Sequence, residues 1–330
     1  MMHAAVVRSF QAAPAYGTID VPQPTGGHEV IADVLAAGLH PRVRSQANGS
    51  HYTSEETLPL IPGIDGVARL PDGGMVYFVA PDTPYGTMAD KAAVDLRRSV
   101  PLPEGADPVA VAAAMNPAMS SWVALRRRID FQPGGQVLVL GATGNSGQMA
   151  VQIAKLLGAS RVVGAGRDAD RLRALAALGA DEVVSLAGDP EEAADRVAAA
   201  ASEVDVVIDY LWGQPAELAM LPLLKRRSDR SRTLSWIQIG SVAGPVAAVP
   251  SVALRSADFR LLGSGQGSVT TAGYLAEFPT LIDEIVAGRL RVDAMPVPLS
   301  QVAEVWTSPS DSGRRIVFVP THADKDSAPT

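Results

Sequence analysis

Three glycines, Gly141, Gly144 and Gly147, stand between an apolar run, Val137 to Leu140, and a stretch of helical period, Ser146 to Leu157. Glycines at a strand-to-helix turn let the backbone come close to a ligand. The helix that follows offers free N–H groups and the positive end of its dipole to an anion such as a diphosphate. Thr143, Asn145 and Ser146 can add side-chain hydrogen bonds. The spacing departs from the G-x-G-x-x-G fingerprint, so the flanking strand and helix carry the reading; a strand-to-helix turn with no ligand is the alternative. A second apolar run, Arg161 to Gly166, is followed by Arg167. Folds that bind NAD place a carboxylate at that strand end to hold the ribose 2′-hydroxyl. Here Gly166 and Arg167 stand there, and a guanidinium grips a 2′-phosphate with paired hydrogen bonds. Arg171, one helical turn on, offers a second cation. The combination implies NADPH, while Asp168 keeps NADH open if the strand runs further.

The elements around this turn alternate in type. Strands are predicted at 137–140, 161–164, 182–184, 204–210, 233–239 and 260–262, with helices at 146–157, 170–178, 190–200 and 215–224 between them. This pattern predicts a doubly wound parallel sheet, an α/β architecture of Rossmann type. The first hundred residues differ. Short strand candidates at 30–35, 66–70 and 75–79 are punctuated by Pro and Gly, which predicts a β-rich domain. A helical stretch over 108–129 joins the two, and a helix near 273–287 and a strand at 316–319 follow. Domains are expected at 1–117, 118–264 and 265–330, the last returning to the β-rich domain, with 321–330 lacking core residues and expected to be disordered.

Composition narrows the function. The chain has 330 residues, 47% of them hydrophobic, which suits two cores rather than one. A net charge of −7 argues against a general nucleic-acid binder. The basic cluster from Lys225 to Arg232 reads as a solvated loop. No apolar span of twenty residues is evident, so no membrane partner is expected. Cysteine is absent, which removes disulfides and thiolate metal ligands and is compatible with a cytoplasmic enzyme.

Several segments together resemble the medium-chain dehydrogenase/reductase superfamily, in its zinc-free quinone oxidoreductase branch. Pro62-Gly-Ile-Asp-Gly-Val67 resembles the P-G-x-D-x-x-G segment of that branch, and Tyr85-Gly-Thr-Met-Ala89 its G-T-x-A stretch. Val137 to Gly147 and Leu178 to Val184 resemble the cofactor domain, and Gly313 to Phe318 the terminal strand. The resemblance implies a GroES-like catalytic domain beside the Rossmann domain, with NADPH lying across a cleft between them. It also implies a homodimer paired through the last Rossmann strand, near Phe259–Leu262. Zinc-dependent relatives hold their metals with Cys and His. With no Cys here, no metal is expected, and Gly27-His28-Glu29 reads as a surface turn rather than a metal motif.

Hydride transfer without a metal needs donors to meet the charge that develops on the substrate oxygen. The resemblance places the substrate-facing segment between Gly38 and Ser54. His40 stands where an Asn commonly follows the Gly-Leu pair, Ser45 falls near the place of the usual tyrosine, and Tyr52 lies further along. His40 and Tyr52 are the catalytic candidates, one of them polarising the acceptor carbonyl or donating a proton. A hydrogen-bonded structural His40 and a packed Tyr52 are the alternative. By the same resemblance, Asn116 and Ser120 stand at a helix start beside the nicotinamide ribose. Gly240 and Ser241 end the fifth strand, and Ser264 and Gly265 the sixth, each a cofactor contact or a plain loop. The expected activity is hydride transfer from NADPH to a quinone, enone or similar small electrophilic carbonyl. An enoyl-thioester reductase and a non-catalytic NADPH-binding sensor or structural protein are the alternatives.

Overall fold

The structure, a computed structural model, describes residues 1–51, 57–80, 83–307 and 313–321. The chain divides into two units, Met1–Asn116 together with the segment from Phe278 onward, and Pro117–Glu277. The expected boundaries lie at 117/118 and 264/265, whereas the chain leaves the second unit at 277/278, inside a helix.

The first unit opens with an antiparallel pair, β1 (Met2–Val6) and β2 (Ala15–Ile19). β3 (Glu29–Gly38) follows, then the short helix α1 (Pro41–Ala47), then β4 (Asp65–Arg69), β5 (Met75–Val79), β6 (Lys91–Asp95) and β7 (Ser99–Pro101). β3 pairs antiparallel with both β4 and β6, so this long strand is the spine of the unit. Its alternate residues Ala32, Val34 and Ala36 are buried, as period two requires of a sheet with one face on a core. Gly27 and His28 form a turn, and the Glu29 carboxylate accepts from the Thr25 N–H at 2.7 Å. These contacts are those of turn chemistry.

Helix α2 (Pro108–Val123) continues into a π-helical turn, Ala124–Arg128. Its 21 residues are apolar enough to span a membrane by length and composition, which a reading from sequence overlooks. Two thirds of its most apolar window is buried inside the protein, the mark of a core helix.

The second unit then alternates strand and helix: β8 (Gln136–Leu140), α3 (Asn145–Leu156), β9 (Arg161–Gly166), α4 (Ala169–Ala174), β10 (Glu182–Ser185), α5 (Pro190–Ala201), β11 (Val206–Asp209), α6 (Gly213–Arg226), β12 (Leu234–Gln238) and β13 (Phe259–Gly263). All six strands are parallel, in the order β10-β9-β8-β11-β12-β13. This is the doubly wound Rossmann order, with its switch point between β8 and β11. β8 and β11 are buried on both faces, which explains their unbroken apolar runs. Trp236 of β12 is fully buried and meets the Phe259 ring edge-on at 6.2 Å. Arg227, expected in a solvated loop, is instead buried, because its guanidinium ties the Ser202, Val204 and Arg232 carbonyls together.

The chain returns through α7 (Thr271–Val286), β14 (Ala294–Pro298), the short helix α8 (Val302–Val305) and β15 (Arg315–Val319). β15 pairs with β14 on one side and antiparallel with β3 on the other, which completes the mixed sheet of the first unit. One parallel sheet and one separate mixed sheet thus form a Rossmann unit and a GroES-like unit. The expected disorder over 321–330 concerns residues that, Thr321 apart, lie outside the described ones.

Candidate cofactor and active site

Parallel α/β sheets bind ligands beyond the carboxyl ends of their strands, at the switch point. Gly141 leaves β8 there with a φ of 84°, a left-handed conformation that costs glycine nothing. Its N–H and that of Ala142 both donate to the Ala165 carbonyl at 2.9 Å, so the turn folds back over β9. The Gly144 N–H donates to the Gly141 carbonyl at 3.2 Å. Gly147 packs so tightly under this loop that a Cβ there would sit 2.2 Å from the Gly141 oxygen. Gly144 is the N-cap of α3 and supplies no side-chain cap, and a Cβ on it would find nothing nearer than 3.6 Å. The helix N-terminus is therefore open on this side, with the Asn145 Oδ1 buried and without a hydrogen-bond partner. An uncapped helix end behind a glycine turn fits a dinucleotide diphosphate.

The second determinant lies at the end of β9. The strand runs through Gly166, so the residue just beyond it is Arg167, which is exposed. Gly166 abuts Thr143: a Cβ on the glycine would come 2.5 Å from Thr143 Cγ2. Asp168 is already committed. Its Oδ1 accepts the Arg171 N–H at 3.0 Å and caps α4, and its Oδ2 lies 3.5 Å from the Arg171 guanidinium. The carboxylate that left NADH open is thus held by the helix it starts. Arg171 shares that pair, which leaves Arg167 as the cation presented at the strand end.

The remaining residues of the second unit gather at the same strand ends. The Gly240 N–H donates to the Asp209 carbonyl at 3.1 Å, and a Cβ on Gly240 would meet the Tyr210 carbonyl oxygen at 2.8 Å. Ser241 is exposed just beyond it. Ser264 is buried after β13, its N–H donating to the Gln238 carbonyl at 2.9 Å. Gly265 is exposed, its N–H donating to Ser268 Oγ at 2.8 Å. Asn116 and Ser120 do not open a helix. Both lie inside α2, which runs straight through Pro117. Ser120 belongs to the second unit and Asn116 to the first.

Two residues of the run that ends the fourth strand, Asp209 and Tyr210, organise these ends. Tyr210 follows β11, buried, with its hydroxyl 2.8 Å from Ser120 Oγ. Burial pushes its phenol up to about 12 despite its hydrogen bonds with Ser120 and Ser121. Asp209, fully buried, accepts the Leu211 and Trp212 N–H groups at 2.8 and 2.9 Å and the Trp236 Nε1–H at 2.9 Å. Burial raises its carboxyl, and those three donors oppose the rise. They hold Trp212 at a φ of 53°, where a bulky residue is strained. In sequence the run Asp209 to Gly213 reads as a strand end bordering the adenosine or ribose, or as a plain loop, and the strand does end at Asp209.

In the first unit His40 is the N-cap residue of α1, only 3% exposed. Its Nε2 lies 3.1 Å from Asp65 Oδ1, and the Tyr77 hydroxyl donates to Asp65 Oδ2 at 2.8 Å. Burial lowers the imidazole pKa, Asp65 pulls it back up, and Arg315 and Arg42 depress it further. His40 Nδ1 is buried without a hydrogen-bond partner. Burial, and then Arg42, also lower His51. Tyr52, the other catalytic candidate, lies outside the described residues. Among the described residues no three His, Cys, Asp or Glu side chains could hold a metal ion together.

A family model described as zinc-binding dehydrogenase matches residues 147–227. A probable NADPH-dependent quinone reductase of Emericella nidulans is 32% identical over 97% of this chain and 100% of its own length. The chain belongs to the medium-chain dehydrogenase/reductase superfamily, in its quinone-reductase-like branch. Among solved structures of the superfamily, the quinone oxidoreductase of Thermus thermophilus, solved alone and with NADPH, superposes with a TM-score of 0.80. It is 25% identical and covers 96% of this chain and 100% of its own. A chloroplastic NADPH-dependent alkenal/one oxidoreductase of Arabidopsis thaliana is 28% identical over 46% of this chain and 44% of its own. The matched family model carries zinc in its description, whereas this member has no cysteine anywhere in its sequence.

Proposed function

We propose that this chain is an NADPH-dependent oxidoreductase that transfers hydride to a quinone, an enone or a related electrophilic carbonyl, and that it does so without zinc. The observation that carries the reading is Arg167, exposed at the end of β9, beside an Asp168 spent on capping α4. The full-length relative, described as an NADPH-dependent quinone reductase, and the alkenal/one oxidoreductase support the cofactor and the acceptor class.

In this reading Gly141, Thr143, Gly144, Asn145 and Ser146 hold the diphosphate, while Gly166 and Arg167 hold the 2′-phosphate end and Arg171, paired with Asp168, adds positive charge. Ser120, Gly240, Ser241, Ser264 and Gly265 hold the remainder. NADPH, when bound, supplies the hydride. His40 meets the charge that develops on the acceptor oxygen, with Tyr52 as a second polar group. The lack of thiolates supports zinc independence.

A homodimer through β13 follows from the same reading. β13 is the last strand of its sheet, and its outer edge pairs with no strand among the described residues. Such an edge invites a partner strand. A cytoplasmic location fits the cysteine-free composition.

The test is NADPH oxidation followed by absorbance with 1,4-benzoquinone and with an α,β-unsaturated ketone, before and after dialysis against a strong chelator. Turnover with at least one acceptor, unchanged by the chelator, is expected. NADPH binding without turnover on any electrophile would leave a binder rather than a catalyst.

A further inference from the structure

Both oxygens of the Asp65 carboxylate have a hydrogen-bond partner. Tyr77 donates its O–H to Oδ2 at 2.8 Å, and His40 Nε2 faces Oδ1 at 3.1 Å. Carboxylate oxygens accept hydrogen bonds, so the proton between His40 and Asp65 sits on Nε2. In the neutral ring that leaves Nδ1 as a bare acceptor. The side chains of His40 and Asp65 are only 2% and 4% exposed, and Nδ1 has no partner. A buried polar atom left unpaired requires a reason, and a ligand that completes it is one. Asp65 is itself held from several sides. Thr87 Oγ1 donates to its backbone carbonyl at 2.9 Å, Tyr77 fixes one oxygen, and the buried Arg315 guanidinium adds a favourable charge. The arrangement is that of a proton-carrying imidazole whose far nitrogen is fixed by a carboxylate, the logic by which such pairs set tautomer and orientation.

Resting on the reductase reading above, we propose that Asp65 is a positioning residue that holds the His40 proton on Nε2, so that Nδ1 is the atom that delivers a proton to the acceptor oxygen. Hydride arrival leaves that oxygen negative. The Nδ1–H bond of the His40 imidazolium breaks and an O–H bond forms on the substrate. His40 is left neutral, with Nε2–H still on Asp65, and solvent restores the Nδ1 proton. The groups that face this imidazole are Asp65 from β4, Arg315 from β15 and Arg42 from α1. Asp65 favours the charged ring and the two arginines oppose it, so removing the carboxylate must make the imidazolium harder to form.

Two measurements on the full chain test this. The first is the tautomer of His40 by nitrogen NMR in protein carrying isotope-labelled histidine, assigned by its loss in H40N. A protonated Nε2 and bare Nδ1 in the neutral ring are expected, and a protonated Nδ1 would overturn the proposal. The second compares wild type, D65N, D65E and Y77F in the pH profile of kcat with 1,4-benzoquinone, alongside NADPH affinity by fluorescence titration. D65N is expected to lose about a hundredfold in kcat, to move the limb on which activity falls with rising pH to lower pH, and to bind NADPH as wild type does. D65E should recover part of the rate, and Y77F should move the limb less. An unmoved limb in D65N, or a loss confined to NADPH affinity, would overturn the proposal. If D65N does not fold, the wild-type tautomer and the Y77F profile decide. A wild type that neither binds NADPH nor reduces any acceptor would refute the functional reading instead, while the tautomer spectrum still reports what Asp65 does to His40.

Discussion

Gly147 touches the carbonyl of Gly141 so closely that a single added carbon would lie 2.2 Å from its oxygen and 2.6 Å from Ala142 Cα. Both contacts are to backbone, so no side-chain rotation relieves them. Gly147→Ala must push the glycine turn away from the start of α3. The expected result is a loss of stability of about 1–3 kcal/mol, the usual cost of overpacking, together with at least a tenfold weaker NADPH affinity. Calorimetric titration and thermal unfolding of the same sample read both.

Removing the hydroxyl in Tyr210→Phe cuts the 2.8 Å link from the end of β11 to Ser120 in α2. Ser120 keeps its bond to the Pro117 carbonyl at 2.8 Å, so no donor is stranded. The expected loss is about 0.5–1.5 kcal/mol in urea unfolding. A neutral result would mean that water replaces the phenol at no cost.

Asp209→Ala is a harsher change. It strands the Leu211 and Trp212 N–H groups and the Trp236 indole N–H, all of which now meet one buried carboxylate. Each buried unpaired donor costs about 1–3 kcal/mol, so a loss of about 3 kcal/mol or more is expected. Asp209→Asn keeps an acceptor for the two backbone groups and should lose less. Denaturant titration of the two variants side by side checks the order.

His40 gives a pH dependence with a fixed sign. Burial holds its folded pKa below the ordinary 6.5. As pH falls below 6.5, the unfolded chain takes up a proton that the folded chain refuses, so stability falls. Below the folded pKa both states are protonated and the loss stops. His40→Gln should flatten this acid-side slope by up to about 1.4 kcal/mol per pH unit. Urea unfolding of wild type and variant at about pH 7.5 and about pH 5.5, on either side of the free-histidine range, measures it. An unchanged slope would assign the effect to other groups, such as His51.

Most of the fold was legible because local signals agree with global ones. The apolar run ending at Leu140, the glycine turn and Gly158 mark β8 and α3 to within a residue or two, and the Rossmann strand order follows from the alternation. The helical stretch over 108–129 was also legible, but the family-like helix start at Asn116 and Ser120 was not real, because Pro117 is tolerated inside α2 when packing compensates for the lost bond. Arg227 looked solvated because a basic run usually is. Only the tertiary structure supplies the three carbonyls that bury it. Asp65 was visible as part of a family-like segment, but its pairing with His40 spans 25 residues, and no local pattern records a contact of that range. Asp168 was ambiguous in sequence because its role depended on where β9 ends.

The central claim is a phosphorylated cofactor held by Arg167 at the end of β9 while its diphosphate rests on the start of α3. Direct titration of the purified chain and its Arg167→Ala variant with NADPH and with NADH tests it. A charged hydrogen bond contributes about 1.5–3 kcal/mol, so wild type should prefer NADPH by roughly ten- to hundredfold and the variant should lose that preference while keeping its NADH affinity. Equal affinity for the two cofactors in wild type, or a preference that survives the loss of Arg167, would contradict the account.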